Sequence, residues 1–339
     1  MIPKRILIVG TGSMGIRHFE IAKKLFPGAE IAVYSESNRK APFPRVLSSK
    51  SEVESFQPEI SVIANQASRH IEFANYLVKM GSHLLIEKPI SSNLEGIGET
   101  IELQKISNSK ILVGYNLRYL PSFRSVQLQL KEKRIGRVLD VRIEVGQSLE
   151  TWRPGRNYRE TASARKVDGG GVLRELSHEL NYLIELFGFP LWVQANISKV
   201  SDLEIDVEDI AHVILGLTDE NGAEFMVSLH LDFIRRDPKR NFTVIGSEAT
   251  LEWNLLDGSV SLKSPESPQR EISLPGQEKI AETYTKEWED LIESINSNAE
   301  PFSSLVSSVK TLEVILAAEE SQKNGAKVHL KSLTGKSND

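Results

Sequence analysis

The stretch Ile6-Leu7-Ile8-Val9-Gly10-Thr11-Gly12-Ser13-Met14-Gly15-Ile16-Arg17-His18 decides the fold. Four apolar residues, Ile6–Val9, run directly into a G-x-G-x-x-G loop, and the helical pattern Ser13–Phe26 follows at once. Each glycine has its own physical reason. Gly10 permits the tight turn, Gly12 lets a backbone approach a pyrophosphate, and Gly15 lets helix and strand pack closely. The helix start offers unpaired N–H groups and a partial positive charge to phosphates. Gly10, Thr11, Gly12, Ser13, Met14 and Gly15 are therefore expected to bind a dinucleotide.

Working outward, short β-branched runs alternate with helical stretches up to about Tyr115. The runs are Ile6–Val9, Ile31–Tyr34, Ile60–Ala64, His83–Ile86 and Ile111–Tyr115. They are continuously apolar, as strands buried on both faces are. Helices are expected over Ser13–Phe26, Arg69–Met80 and Ser92–Ser107, with Gly81 at a C-cap position. This rhythm predicts a doubly wound parallel Rossmann sheet over residues 1–120. After Pro121 the texture changes. A helix over Ser122–Lys133 precedes strands with polar alternation: Val138–Gln147, Val193–Val200, Ile210–Thr218, Glu224–Asp232, Asn241–Gly246 and Thr250–Trp253. A helix over Val172–Phe187 interrupts them, and helices near Thr283–Ser297 and Ser303–Lys323 close the pattern. Residues 121–330 thus read as a second α/β domain whose sheet has one solvated or partner-covered face, and residues 331–339 as a flexible tail.

Composition bounds the function. At 339 residues, 40% hydrophobic and 26% charged, the chain has the make-up of a globular protein with two domains. A net charge of -5 argues against a nucleic-acid partner. With no cysteine, disulfides, thiol catalysis and cysteine-ligated metals are excluded. No apolar run reaches the roughly 18 residues of a membrane helix. Met1–Gly10 has two basic residues before its apolar stretch, but the stretch is too short for a signal peptide, and a cytoplasmic protein is expected.

The cofactor's identity turns on the residues after Tyr34. An NAD enzyme usually places an acid there for the ribose hydroxyls. Here the sequence is Ser35-Glu36-Ser37-Asn38-Arg39-Lys40. Ser35 takes the expected acid position; Arg39 and Lys40 suit a 2′-phosphate, while Glu36 would repel one if it points inward. The reading is NAD or NADP, with the balance towards NADP.

Three more motifs carry a resemblance: Glu87-Lys88-Pro89 after the His83–Ile86 strand, Gly114-Tyr115-Asn116-Leu117-Arg118-Tyr119, and Gly169-Gly170-Gly171 followed by Glu175, His178 and Asn181. With the glycine loop, the chain resembles the Gfo/Idh/MocA family of glucose–fructose oxidoreductase, inositol dehydrogenase and relatives. The resemblance covers nearly the whole chain, and Gly171–Tyr182 is similar to a subgroup from bacterial surface-sugar and sialic-acid-like pathways. It implies a Rossmann domain, a C-terminal α/β domain with a large, mostly antiparallel sheet, association through that sheet as a homodimer or homotetramer, and sugar or cyclitol substrates. It maps the family's lysine to Lys88 and its histidine to His178. Ala64-Asn65-Gln66 stands where Ala-Thr-Pro is usual beside the cofactor. Glu175 lies three residues before His178 rather than four, a spacing that still puts both on one helix face.

Oxidising a carbinol sends a hydride to nicotinamide and a proton to a base, and histidine suits the base. His178 is expected to move the proton, Glu175 to orient it, and Lys88 to hold the reacting oxygen. Ala64, Asn65, Glu87, Lys88 and Asn116 are expected against the cofactor. Tyr182 stands where a zinc-binding H-E-x-x-H needs its second histidine, so no metal is expected. The reading is an NAD(P)-dependent oxidoreductase acting on CH–OH groups. Alternatives are an NAD-dependent glycosidase working by transient oxidation and a non-catalytic dinucleotide sensor. Substrate contacts are expected from Arg118, Trp152, Arg153, Tyr158, Arg159 and Asn181. The segment Thr151–Lys166 holds five basic residues against Glu160 alone, which suits an anionic sugar derivative.

Overall fold

The computed structural model describes residues 2–36, 43–266, 270–273 and 279–334. The chain forms two compact units. The first comprises residues 1–116 and 281–312; the second comprises 117–280 and 313–339. The sequence reading drew one boundary near residue 120. The structure adds a C-terminal segment to the first unit, which chain order alone does not reveal.

The first unit holds a six-stranded parallel sheet: β1 (Arg5–Val9), β2 (Glu30–Tyr34), β3 (Val46–Leu47), β4 (Ile60–Ile63), β5 (His83–Ile86) and β6 (Ile111–Val113), in the order β3-β2-β1-β4-β5-β6. Order reverses between β1 and β4, the switch point where such sheets bind ligands. Its strands are buried on both faces, as their unbroken apolar runs require. The helices are α1 (Ser13–Leu25), α2 (Lys50–Phe56), α3 (His70–Lys79) and α4 (Ile97–Ser107). Helix α1 buries Gly15, His18, Phe19 and Ala22, one stripe at helical spacing. Helix α2 and strand β3 were not expected. The signal for α2 was present: Ser49 and Glu52 form a reciprocal capping box. Helix α4 starts at Ile97, five residues later than the pattern suggested, because Gly96 holds a left-handed conformation (φ +74°) at its start.

In the second unit, α5 (Pro121–Lys131) begins with proline at its first position, where the missing N–H costs nothing. The sheet strands are β7 (Val138–Gly146), β8 (Trp192–Ser198), β9 (Ile210–Thr218), β10 (Glu224–Asp232), β11 (Lys239–Gly246), β12 (Thr250–Asn254), β13 (Ser259–Lys263) and β14 (Arg270–Ser273). With β15 (Val328–His329) they form a nine-stranded sheet in the order β14-β13-β12-β11-β7-β10-β9-β8-β15. Only the β7–β10 pairing is parallel. Alternation sorts the faces: Val213, Leu215 and Leu217 are buried, while Ile214 and Met226 are exposed. The short α6 (Leu149–Trp152) and α7 (Val172–Glu175) precede α8 (His178–Phe187).

The expected helix over Val172–Phe187 is thus two helices. Leu176 closes α7 at φ −92°, ψ +29°, and Ser177 starts α8 without a side-chain cap. Finally, α9 (Ile280–Ser297) belongs to the first unit from Ala281 onward, and α10 (Leu305–Asn324) begins in the first unit and ends in the second. Before α10, Ser303 accepts from the Val113 N–H, so this segment covers the open edge of β6. Part of the expected tail is tied down: Glu313 accepts from the Leu333 N–H and the Ser332 hydroxyl. Among the described residues no helix is long and apolar enough to cross a membrane.

Candidate functional site

The three glycines of the loop are required in three different ways. Gly10 sits at φ +114°, and a Cβ there would lie 2.6 Å from the Ala64 carbonyl oxygen. A Cβ on Gly15 would lie 2.1 Å from the Gly10 carbonyl oxygen, so α1 rests directly on the turn. A Cβ on Gly12 meets nothing within 4 Å. Helix α1 begins at Gly12 with no side-chain cap and no acid in its first turn. Open backbone and an unsatisfied helix start fit a dinucleotide pyrophosphate. Thr11, Gly12, Ser13 and Met14 are at least partly exposed there.

Strands β2 and β4 flank β1, and their ends frame this loop. Ser35 continues the β2 edge, its N–H donating to Leu47. The next residue, Glu36, carries the acid. Both guanidinium ends of Arg69 donate to its carboxylate, at 2.7 and 3.0 Å, and the Tyr34 hydroxyl donates at 3.1 Å. The Arg69 bonds hold the Glu36 carboxyl below the usual carboxylate range. Arg69 itself lies just after β4, a position the sequence reading missed. Arg39 and Lys40 lie outside the described residues. On the β4 side, Asn65 has a buried side-chain oxygen with no donor among the described residues. The His70 ring reaches the Asn65 carbonyl at 3.2 Å and the Pro89 carbonyl at 3.0 Å. Burial pushes this imidazole down from its ordinary pKa. A neutral ring can donate to only one of the two carbonyls at a time.

Glu87 and Lys88 stand at the carboxyl end of β5, and the Lys88–Pro89 peptide is cis. The Glu87 N–H donates to Ile63, and its carboxylate lies 2.8 Å from Nε2 of His18, a fully buried residue of α1. The Trp288 indole donates to the His18 Nδ1 at 3.1 Å. Indole is a donor only, so Nδ1 accepts, and Nε2 carries the hydrogen given to Glu87. Lys88 is partly exposed. Asn116 is buried, and its side-chain amide donates to the Thr283 hydroxyl at 2.8 Å. His18, Thr283 and Trp288 escaped the sequence reading because no motif names them.

In the second unit the glycine run serves close packing. A Cβ on Gly170 would lie 2.2 Å from the Ala162 carbonyl oxygen, and one on Gly171 (φ +111°) 2.3 Å from a Glu208 carboxyl oxygen. Burial raises that Glu208 carboxyl above its ordinary pKa, and its oxygen accepts from the Leu173 N–H at the start of α7. His178 opens α8 and is partly exposed; Asn181, one turn on, is buried. Glu175 ends α7 and His178 opens α8, so the two stand on successive short helices rather than on one. Helix α8 is fixed from three sides. Tyr182 packs its ring 5.4 Å from Trp253 and 5.7 Å from Phe242; Glu179 takes two bonds from Arg240, at 2.7 and 3.1 Å; and Glu185 pairs with Arg118. Arg118, only 2% exposed, thereby fastens α8.

The basic loop is less positive than its sequence suggests. Arg159 stacks on Tyr158 and pairs with Glu204 at 2.5 Å, Arg165 pairs with Asp168 at 3.3 Å, and the Lys166 N–H donates to Asp206. Two of these acids lie some forty residues away in sequence, beyond the reach of a local charge count. Trp152 packs on Phe233 with ring centroids 5.3 Å apart, while Arg153 and Arg156 are exposed.

The loop geometry separates two effects that a single substitution usually mixes. Gly12→Ala should fold with a melting temperature close to that of the wild type, because the added methyl meets only open space, yet bind dinucleotide at least tenfold more weakly. Gly15→Ala should instead fail to fold, with the carbonyl of Gly10 in its way. Thermal melts paired with NADH fluorescence titrations measure both; undiminished NADH affinity in Gly12→Ala contradicts the assignment.

Comparison with known proteins agrees with this arrangement. Residues 4–115 match the oxidoreductase-family NAD-binding Rossmann fold, and residues 128–330 match the oxidoreductase-family C-terminal alpha/beta domain. An oxidoreductase of Formosa agariphila is 23% identical over 203 residues, 59% of this chain and 60% of the relative. An inositol 2-dehydrogenase of Acidiphilium cryptum is 26% identical over 148 residues, 40% of this chain and 44% of the relative. The match spans less than two thirds of the length of the first curated relatives. The solved structure of a levoglucosan dehydrogenase with NADH superposes with a TM-score of 0.81 at 19% identity, covering 97% of this chain and 99% of that one. With both of its domains matched, the chain belongs to the Gfo/Idh/MocA oxidoreductase family.

Proposed function

We propose that the protein is an NAD(P)-dependent oxidoreductase that transfers a hydride between nicotinamide and a hydroxyl or ketone of a sugar or sugar derivative. The observation that carries this reading is the first unit's sheet. One strand end offers an open glycine backbone below an uncapped helix, and a nearby strand end in the same sheet presents Glu87 and Lys88. An inositol dehydrogenase and a levoglucosan dehydrogenase among the similar proteins support a cyclic polyol or sugar substrate. When bound, the nicotinamide accepts or gives up the hydride. Lys88 donates a hydrogen bond to the reacting oxygen and offsets its charge. His178 takes the carbinol proton on oxidation and returns it on reduction. Arg153 and Arg156, beside Trp152 and Tyr158, favour a substrate with an anionic group. Copies associate through the face of the large sheet that carries Ile214 and Met226, whose exposure supports this reading.

For the cofactor, we read NAD. Glu36 rather than Ser35 supplies the acid after β2, and Arg69 and Tyr34 hold its carboxylate there. A ribose diol can donate to that carboxylate, whereas a 2′-phosphate would be repelled by it. This reverses the balance read from Arg39 and Lys40.

Lys88→Met should reduce kcat to less than a tenth of the wild-type value while NADH still binds, since the methionine keeps the bulk and loses the charge. Stopped-flow turnover and equilibrium titration on one preparation separate the two effects, and preserved turnover sinks the role of Lys88. His178→Ala should lower kcat by about 10²–10⁴-fold, the usual worth of a positioned acid–base group. A drop under threefold, with hydride transfer shown to be rate-limiting, points to a different base. Wild-type kcat/KM should favour NADH over NADPH, and Glu36→Ser should narrow that ratio by about tenfold, which corresponds to about 1.4 kcal/mol. A wild-type preference for NADPH refutes the assignment of Glu36.

A further inference from the structure

Helix α9 brings two residues with known partners into the first unit: Thr283, bonded to Asn116, and Trp288, bonded to His18. Between them lies Glu287, which is 0% exposed. Among the described residues neither of its carboxyl oxygens has a hydrogen-bond partner. A point one bond out from Gly114, where a Cβ would sit, is 3.4 Å from the Glu87 Oε2 and 3.6 Å from the Glu287 Oε1. The two carboxyl oxygens are therefore at most about 7 Å apart, the sum of those distances, across the end of β6.

Their surroundings differ in one decisive respect. Glu87 receives the Nε2 hydrogen of His18; Glu287 receives none. An ionised carboxylate without donors is the form that burial penalises most. Burial first, and the neighbouring Glu87 second, push the Glu287 carboxyl well above its ordinary range. The groups facing it are Glu87 at the end of β5, Arg17 and His18 on α1, and Tyr284 and Asp290 on its own helix. Asp290 acts in the same direction as Glu87, and Arg17 opposes them. Arg17 is also engaged elsewhere, stacked 4.3 Å over the Tyr284 ring.

We propose that Glu287 is the proton-bearing partner of Glu87, a positioning residue that keeps the Glu87-Lys88-Pro89 turn at a single carboxylate charge. The proposal rests on the oxidoreductase reading only in that this turn presents Lys88 to the reacting oxygen. With Glu287 protonated, Glu87 is the one acceptor at the turn and keeps its bond to His18. With both ionised, two carboxylates would face each other across Gly114 with a single N–H donor between them, and the turn would be pushed apart.

Stability against pH tests the pair without any turnover. The unfolded carboxyl ionises near its ordinary value of 4.5, while the folded group keeps its proton above that. Between the two values only the folded chain holds the proton, so wild-type stability falls as pH rises; below 4.5 both states hold it and the contribution is complete. Glu287→Gln keeps the shape and does not titrate. Urea unfolding from about pH 5 to about pH 8 should show the folding constant of the wild type falling relative to E287Q by up to about tenfold per pH unit. Difference infrared spectra at neutral pH should show a protonated-carboxyl band in the wild type that E287Q lacks; any band from Glu208 is common to both and cancels. Should E287Q fold poorly, Glu287→Met serves the same comparison. The kcat of the wild type should decline at alkaline pH, and that limb should be missing in E287Q. Parallel stability curves with no difference band overturn the protonated state, and an unchanged alkaline limb overturns its link to the turn. If the oxidoreductase reading fails, the unfolding and infrared results stand unaffected.

Discussion

The seating of α1 on the Gly10 carbonyl is the constraint on which the first unit depends. No side chain fits between residue 15 and that oxygen, so the helix begins as close to β1 as backbone allows. Two consequences follow from the same contact. The helix start stays open above Gly12, where its free N–H groups meet solvent or ligand. One turn further on, the same seating brings His18 to Glu87, 69 residues away in sequence, at 2.8 Å. The glycine loop and the Glu-Lys-Pro turn are thus tied to the same first turns of one helix. Trp288 completes the arrangement by fixing which nitrogen of His18 carries the hydrogen.

The second unit solves its positioning problem by other means. Helix α8 carries His178 on its first residue, where fraying would normally be greatest. It is held by one aromatic cluster and two ion pairs, each from a different element: Trp253 on β12, Arg240 on β11, and Arg118 ahead of α5. The Trp253 indole also donates to Ser122 on α5 at 2.8 Å, so the cluster is anchored at its polar edge as well. Buried pairs such as Glu179 with Arg240 are poor sources of net stability but strong constraints on geometry, because either partner alone would be a buried charge.

What the sequence made legible follows from the range of the interactions involved. Five of the six parallel strands, the glycine loop and the alternation of the large sheet are local patterns, and the structure has them. The helix break at Leu176–Ser177 was not legible, since no glycine or proline marks it and the apolar spacing runs on through it. The bonds from Arg159 to Glu204 and from Glu36 to Arg69 join residues 45 and 33 apart, and only the folded chain pairs them. Both change a reading of charge. A loop that looks strongly basic has part of its charge answered by acids, and an acid after β2 whose direction the sequence left open is held in place by an arginine from the far side of β1.

The same reasoning explains why α9 is the element that chain order hides best. It lies beyond residue 280, in a stretch that reads as part of the second domain, yet it brings Thr283, Glu287 and Trp288 to the floor of the first. Those residues fall at helical spacing on one face, and no motif separates them from an ordinary amphipathic stripe. A glutamate in such a stripe would normally be taken for a surface residue misplaced by one position. Its complete burial makes the alternative necessary: the fold tolerates a carboxyl there because it keeps its proton beside Glu87.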